Sequence, residues 1–231
     1  VGLAPMASGC DHLYPLSNTG LGFAALDILE RRGHDFTISR ISPDQIMSSA
    51  REAGADAAYL AEQQWHHLTA PRPDFAGLSM DHYRIMGIIN TTPDSFSDGG
   101  DHFDANTAIA CGMAMADAGA DILDIGGEST RPGAKQVSHG EETMRILPVI
   151  SHLSSAGHTV SADTRHTQVM GEALDAGAMI INDVGGLRDK GADALAASRA
   201  CPVVIMHMQG QPGDMQDNPS YDFVAADVYD G

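Results

Sequence analysis

From residue 84 onward, short apolar runs alternate with longer segments of helical pattern. The runs are Arg84–Asn90, Asp121–Ile125, Thr159–Asp163, Met179–Asp183 and Pro202–His207. Their nearly continuous apolar character predicts strands of a parallel sheet that is buried on both faces. Between the runs, Asp104 and the capping-box pattern Ser138–Glu141 predict helix N-termini. A further helix is predicted from about His166 to Ala176.

Two α/β architectures fit this alternation, the TIM (β/α)8 barrel and the doubly wound open sheet. Every predicted strand ends in a polar or glycine-rich loop, as in a barrel that carries its active site on the carboxyl-end face. The glycine motif GxGxxG, which is typical of nucleotide-binding open sheets, does not occur. The pattern favours the barrel, with about five β/α units.

Residues 1–83 form a separate, partly helical N-terminal extension in this interpretation. Ser42 followed by Pro43 and, at the third position, Gln45 predicts a capped helix to about Ala53. A second helix is predicted from about Ala55 to His67, and Asp35–Ile41 could be a short strand. The Pro-containing segment 70–73 indicates a linker before the barrel segment, residues 84–231.

Charge and cysteine content restrict the partners and the compartment. The chain has 13 basic and 31 acidic residues, a formal net charge of −18, which disfavours binding to nucleic acid or anionic lipid. No apolar stretch is long enough for a membrane span, so no membrane association is expected. Three scattered cysteines without a CxxC pair indicate buried thiols in a reducing, cytoplasmic compartment.

Two of the strand-end loops have the composition of binding loops. The first, residues 90–100, is long and polar and begins with Asn90 at the strand end. In the second, residues 126–134, two glycines allow close approach of a ligand, and Thr130 and Arg131 are a suitable pair for phosphate. The alternatives are a solvated surface loop for the first and a turn with a surface arginine for the second.

Polar residues also end the next two strands. Asp163 could accept two N–H bonds from a flat heterocycle, and Asn182 could both donate and accept. Each alone is more often a cap or turn residue, but together on one face they indicate recognition of a heteroaromatic edge. Met206, near the end of the fifth strand, is interpreted as pocket wall or core. His207 has no partner at ligand spacing, so a metal role is not expected.

The loops of residues 84–221 resemble those of the dihydropteroate synthases. The matching motifs are Met86–Gly100, Asp124–Ala134, Ser161–Thr164, Ile181–Asp183 and Met206–Gly210. The resemblance implies a transferase of folate biosynthesis that joins a dihydropterin methyl diphosphate to 4-aminobenzoate, without a covalent enzyme intermediate. Residues 1–83 resemble the long N-terminal extension of some bacterial members.

The resemblance also implies the residue roles and the cofactor. Asn90 would serve Mg²⁺ and the diphosphate, which Thr130 and Arg131 would bind. Asp163 and Asn182 would hold the pterin edge, with Met206 in the pocket wall. The loops that contain Thr92 and Ser129 would close over 4-aminobenzoate. Asp163 and Arg131 are the expected catalytic residues, and a homodimer is left open.

The chain departs from the family pattern in length. Its last predicted strand is the fifth of eight, and the family's later pterin and diphosphate contacts have no counterpart, so we expect a C-terminally truncated chain without synthase activity on its own. Two alternatives remain: a non-catalytic homologue that binds a pterin or a partner, and a methyltetrahydrofolate methyltransferase. The second lacks the loop from Glu128 to Gly133 and ranks lower.

Overall fold

The structure, a computed structural model, describes residues 4–6, 13–33, 35–92, 104–129 and 137–231. The chain folds as two units. The N-terminal unit comprises Val1–Asp74, Ser79–His82 and Tyr221–Gly231, and the sheet unit comprises Phe75–Leu78 and Tyr83–Ser220. The last eleven residues therefore group with the N-terminal unit, whereas the sequence analysis places all of 84–231 in the barrel segment.

In its described residues, the N-terminal unit contains two small antiparallel sheets and three helices. The strands are β1 (Ala4–Pro5), β2 (Tyr14–Pro15), β3 (Leu21–Phe23), β4 (Leu26–Arg32) and β5 (Asp35–Ile41), and the helices are α1 (Pro43–Ala53), α2 (Ala55–Thr69) and, at the chain end, α7 (Val224–Asp230). Strands β1, β3 and β2 form one sheet, and β4 pairs with β5 in the other. The predicted strand at 35–41 and both predicted helices are confirmed, and strand β4 was not predicted.

Local chemistry explains the helices of this unit. Ser42 caps α1 with the complete capping box that the sequence predicts, because its hydroxyl accepts from the Gln45 N–H and the Gln45 side chain accepts from the Ser42 N–H. The rings of Tyr14, Phe23 and Trp65 pack against one another, with 4.9 Å between the centroids of Tyr14 and Trp65. Phe23 is buried, and Tyr14 and Trp65 are partly buried around it.

The sheet unit alternates strands and helices. Its strands are β6 (Met86–Asn90), β7 (Ile122–Gly126), β8 (Thr159–Asp163), β9 (Ile180–Asp183) and β10 (Val203–Ile205); its helices are α3 (Ala105–Asp117), α4 (His139–Ser155), α5 (Thr167–Asp175) and α6 (Ala192–Arg199). All five strands are parallel and lie in chain order. The five predicted strands and the barrel-type β/α units are confirmed. Helix α6 was not predicted.

The sequence predicts the N-caps of α3 and α4 correctly, except for one hydrogen bond at the start of α4. Asp104 caps α3 by accepting from the backbone N–H groups of Asn106 and Thr107. Ser138 caps α4 and accepts from the Glu141 N–H at 3.2 Å. The reciprocal half of the predicted capping box does not form, because the Glu141 carboxylate pairs with Arg145 one turn along the helix, 2.5 Å away.

The main core lies between the sheet and its helices. On each strand alternate residues face the helices, as expected for a period of two. The buried members of this core include Ile89, Leu123, Ile125, Val160 and Ile181 from the strands and Ile146, Ile150, Leu153 and Met170 from the helices. The residues between them, among which are Ile88, Asp124 and Ser161, therefore face the opposite side of the sheet.

Candidate functional site

Three polar residues and a glycine, at the carboxyl ends of four strands, lie in one row on the face opposite the helices. Asn90 of β6 is beside Gly126 of β7, Gly126 is beside Asp163 of β8, and Asp163 is beside Asn182 of β9. Because neighbours in register on parallel strands point the same way, the three polar side chains share one surface. The sequence analysis placed Asn90, Asp163 and Asn182 at one end, and the structure brings them together there.

A second layer of residues lies beneath this row. Asp124, two positions before Gly126 on the same face of β7, is almost fully buried. Its Oδ2 accepts a hydrogen bond from Nδ2 of Asn182, at 2.9 Å. Burial raises the pKa of the Asp124 carboxyl, and the hydrogen bond from Asn182 offsets part of that effect. The bond fixes the plane of the Asn182 amide and leaves its carbonyl oxygen and one N–H for a ligand.

Asp163 has the most perturbed electrostatic environment of the row. Burial, followed by the negative charges of Asp124, Glu142, Asp183 and Glu128, raises its pKa from 3.8 to about 7. A carboxyl group with this pKa is close to half-protonated at neutral pH. A ligand edge with two N–H donors would favour the ionised form and would bind it through two hydrogen bonds. Asp163 is therefore suited to recognise such an edge.

Gly126, the last residue of β7, and Gly127, directly after it, make different close contacts. A Cβ on Gly126 would lie 3.1 Å from the Asp163 Oδ2, so the missing side chain leaves room for that carboxylate. A Cβ on Gly127 would lie 2.8 Å from Ile146 and 3.1 Å from the carbonyl oxygen of Glu142, both on α4. Gly127 thus allows close approach of helix α4, and the close approach of a ligand to either glycine stays a prediction.

The end of β6 is tied to the end of β7. Thr91 is completely buried, and both its backbone N–H and its hydroxyl donate to the carbonyl oxygen of Gly126, at 2.7 and 3.0 Å. This pair of bonds continues the sheet one residue past Asn90. It therefore determines where the first predicted binding loop begins.

Charged side chains join the segments after β7 and β8 to each other and to helix α4. Arg165 donates to both carboxylate oxygens of Glu128, and His166 Nδ1 lies 2.8 Å from Glu142 Oε2. Arg145 donates to the carbonyl oxygen of Gly127 at 2.9 Å. Burial opposes ionisation of Glu128, but the hydrogen bonds and charge of Arg165 outweigh it and keep the pKa of Glu128 below its usual range.

The remaining predicted site residues are placed only in part. Thr92 and Ser129 lie just beyond the ends of β6 and β7, and Met206 follows β10 with 39% of its surface exposed. Thr130 and Arg131 lie outside the described residues, as does the rest of the first loop from Pro93 to Gly100. The roles of all these residues as ligands stay predictions.

The described residues contain no group of three or more His, Cys, Asp or Glu side chains that could hold a metal ion. The carboxamide of Asn90, at the exposed end of β6, offers one oxygen. Mg²⁺ is commonly bound by one or two protein oxygens together with substrate phosphates and water. Asn90 fits that mode, in which most ligands come from a bound diphosphate.

Sequence reasoning assigned no role to Asp124, Glu128 or Arg165. For Asp124 a signal exists in the period of two. Asp124 precedes Gly126 by two positions in an otherwise apolar run, and Glu128 and Arg165 follow Gly126 and Asp163 by two. Asp124, which is inside β7, therefore lies on the same face as the polar row, whereas Glu128 and Arg165 follow the last residues of β7 and β8, where the period no longer assigns a face.

A family model described as "Pterin binding enzyme" matches residues 86–230, most of the chain. The chain belongs to the pterin-binding enzyme family. This segment contains every residue of the polar row. Among curated relatives, dihydropteroate synthase of Escherichia coli K12 is 47% identical over 152 residues, which are 65% of this chain and 54% of that protein.

Solved structures of the pterin-binding family agree with the match. Dihydropteroate synthase of Xanthomonas albilineans with 4-aminobenzoic acid is 50% identical with a TM-score of 0.61, covering 69% of this chain and 57% of that one. The same enzyme in complex with 7,8-dihydropteroate is 45% identical with a TM-score of 0.58, covering 69% of this chain and 56% of that one. The chain thus spans about half the length of the proteins it matches.

No helix in the described part of the chain is both long and apolar enough to cross a membrane. Of the cysteines, Cys111 and Cys201 are free and partly buried, and burial raises the pKa of the Cys201 thiol. Cys10 lies outside the described residues.

Proposed function

We propose that this chain supplies the pterin-binding part of a dihydropteroate synthase. The proposed reaction joins (7,8-dihydropterin-6-yl)methyl diphosphate to 4-aminobenzoate and releases diphosphate. The observation that carries the proposal is the row Asn90–Gly126–Asp163–Asn182, with a carboxyl of raised pKa beside an amide of fixed orientation. The identity to synthases solved with 4-aminobenzoic acid and with 7,8-dihydropteroate supports it.

Asp163 and Asn182 would bind the pterin edge. The 2-amino-pyrimidinone part of a pterin presents adjacent N–H donors and ring acceptors. Asp163 would accept from the donors, and Asn182 would contribute its free carbonyl oxygen and N–H, because Asp124 occupies its other N–H. Two oriented polar groups at the strand ends would hold the exocyclic methylene carbon in place for attack.

In the reaction, the C–O bond between the methylene carbon and the diphosphate breaks, and the electron pair leaves with the diphosphate. The amine nitrogen of 4-aminobenzoate forms the new C–N bond and loses a proton. Positive charge grows on the pterin as the C–O bond lengthens. Asp163, ionised once the pterin is bound, would stabilise that charge at close range, since a fixed carboxylate in a site that excludes water acts strongly.

Negative charge grows on the leaving diphosphate, and Thr130 and Arg131 are proposed to bind it. Mg²⁺, when bound, would neutralise part of that charge, with Asn90 as its protein ligand. In this proposal Thr92 and Ser129, at the starts of the two binding loops, would contact 4-aminobenzoate. Met206 would contribute to the wall of the pterin pocket.

The test is an assay of diphosphate release, with both substrates and Mg²⁺, on the complete gene product that contains these residues. We expect turnover that requires 4-aminobenzoate and that Asp163→Ala reduces by at least ~100-fold, the scale of losing a charge-stabilising group. Pterin binding without any turnover would indicate the non-catalytic homologue instead. Absence of pterin binding would remove the proposal.

A further inference from the structure

Within the N-terminal unit, strand β4 and helix α7 are joined by the side chain of Arg31, which lies 196 and 199 positions before its two partners. Arg31 Nη2 lies 2.5 Å from Asp227 Oδ1, and Nη1 lies 2.7 Å from Asp230 Oδ2. The two aspartates are three positions apart, so they lie on one face of α7. Because no Lys or Arg follows Arg199 in the sequence, the acidic segment that contains α7 takes this positive charge from an earlier part of the chain.

An aromatic contact lies beside the two ion pairs. Phe36 of β5 is the cross-strand neighbour of Arg31, so the two side chains share one face of the β4–β5 hairpin. The Arg31 guanidinium lies over the Phe36 ring, 5.1 Å from its centroid. The Phe36 ring is in turn 5.1 Å from the ring of Phe223, the residue directly before α7. The hairpin face thus contacts both the start and the end of α7.

Apolar packing between the hairpin and α7 is incomplete. An open cleft of about 400 Å³ separates Leu29 of β4 from Ala225, Ala226 and Tyr229 of α7. Helix α7 has seven residues, none of them buried. Since isolated helices shorter than about 12–15 residues are marginal in water, α7 needs tertiary contacts to stay helical. Among the described residues, the ion pairs and the ring contact are the interactions that can supply them.

We propose that the hairpin face formed by Leu29, Arg31 and Phe36 is a docking surface for an acidic helix, and that α7 is folded only while it occupies this surface. The helix that fits has two carboxylates three positions apart and an aromatic residue directly before its first turn. The family match over residues 86–230 contains α7 but not the hairpin. The N-terminal extension therefore stabilises a helix that belongs to the family segment, a function that does not depend on the proposed reaction.

Hydrogen exchange on the complete gene product measures how well α7 is folded. In R31E the two aspartates of α7 face a third negative charge, and like charges repel. We expect the backbone amides of α7 to exchange at least ~10-fold faster than in the wild type, while the amides of β7 and β8 keep their rates.

The matched control is R32E, which makes the same charge change at the next residue of β4. Arg32 points to the opposite face of the hairpin, is 81% exposed and pairs with Glu30. We expect R32E to change the exchange of α7 by less than ~3-fold, because a surface ion pair of this kind contributes little.

A second substitution tests whether charge is the cause. In R31E/D230R an opposite-charge contact can form again, while Asp227, which also accepts from the Phe223 N–H, is left in place. We expect α7 to exchange at least ~3-fold more slowly in this variant than in R31E. Unchanged exchange of α7 in R31E, equal acceleration by R31E and R32E, or no slowing in R31E/D230R would each overturn the inference.

The amides of β4 and β5 report whether the hairpin itself stays folded. If R31E accelerates their exchange as much as that of α7, R31Q provides the decisive comparison, because it removes both ion pairs without adding a negative charge. We expect R31Q to accelerate exchange in α7 by at least ~3-fold and to leave β4 and β5 unchanged. An R31Q protein in which α7 exchanges at the wild-type rate would show that the hairpin does not hold the helix through Arg31.

Discussion

The side-chain amide of Asn182 donates to the buried carboxylate of Asp124, with 2.9 Å between Nδ2 and Oδ2. Asp124 lies on β7 and Asn182 on β9, so the bond crosses in front of β8 on the face that carries Asp163. An amide that is free to rotate would present donor and acceptor to a ligand in either order. One fixed N–H removes that ambiguity before the ligand arrives.

Two replacements of Asp124 test whether it acts by orienting the Asn182 amide or through its own negative charge. Asp124→Ala leaves the Asn182 amide without its acceptor, and we expect hydroxymethyl dihydropterin to bind about tenfold more weakly, the scale of one hydrogen bond to a charged group. Asp124→Asn keeps an acceptor oxygen and should lose less than ~3-fold. Calorimetry measures both affinities, with thermal unfolding as a control for folding. Equal losses in the two variants would argue against an orienting role.

The raised pKa of Asp163 makes stability depend on pH. Between pH 3.8, the ordinary pKa, and about 7, the folded protein holds a proton at Asp163 that the unfolded chain has lost. The free energy of unfolding should therefore fall as the pH rises through this window. The stability that the protonated Asp163 adds, relative to its ionised form, is fully present below pH 3.8 and is lost above a pH of about 7.

Asp163→Asn, which is neutral at every pH, tests this dependence. Relative to the wild type, we expect it to be similarly stable near pH 4 and more stable near pH 8 by up to about 4 kcal/mol. Urea unfolding at several pH values measures the difference between the two proteins, in which the titration of other groups largely cancels. A difference that does not change between pH 4 and pH 8 would contradict the raised pKa.

Much of the fold followed from the sequence because its signals are local. Apolar runs and cap residues such as Asp104 and Ser42 act within a few positions, so the five parallel strands and most helices were predicted. Helix α6 was missed because its N-cap, Gly191, makes no side-chain hydrogen bond and its residues are mostly small. Strand β4 was missed because its pattern is weak and its stability comes from pairing with β5 along its whole length.

The sequence indicated candidate site residues but not the contacts between them. Motifs indicated Asp163 and Asn182, yet the bond from Asn182 to Asp124 joins residues 58 positions apart, and that from Arg165 to Glu128 spans 37. Such contacts depend on strand register, which the sequence alone does not determine. Likewise, a glycine required by a neighbouring helix cannot be distinguished in sequence from one required by a ligand.

Gly126 and Gly127 should therefore respond differently to alanine. Gly127→Ala would force a methyl group against Ile146 and the backbone of α4, and we expect the free energy of unfolding to fall by about 1–3 kcal/mol. Gly126→Ala would instead crowd the Asp163 carboxylate at 3.1 Å, so its main effect should be on pterin affinity. Urea unfolding and calorimetry on each variant measure the two effects. A reversal of this pattern would assign the glycines the opposite way.

Removal of Mg²⁺ should affect only the ligand that carries the diphosphate. Asn90 would supply one oxygen, and the described residues hold no carboxylate cluster that could bind the ion without substrate. We therefore expect EDTA to weaken binding of the dihydropterin methyl diphosphate by at least ~10-fold and to leave binding of hydroxymethyl dihydropterin unchanged.

Asn90→Ala should reduce this Mg²⁺ dependence, whereas Asn90→Asp should retain it because a carboxylate is also a suitable Mg²⁺ ligand. Calorimetry with both ligands, with and without Mg²⁺, measures the dependence in each variant. An unchanged dependence in Asn90→Ala would exclude Asn90 as a ligand of the ion, and equal effects of EDTA on both ligands would show that the ion acts on the protein and not through the diphosphate.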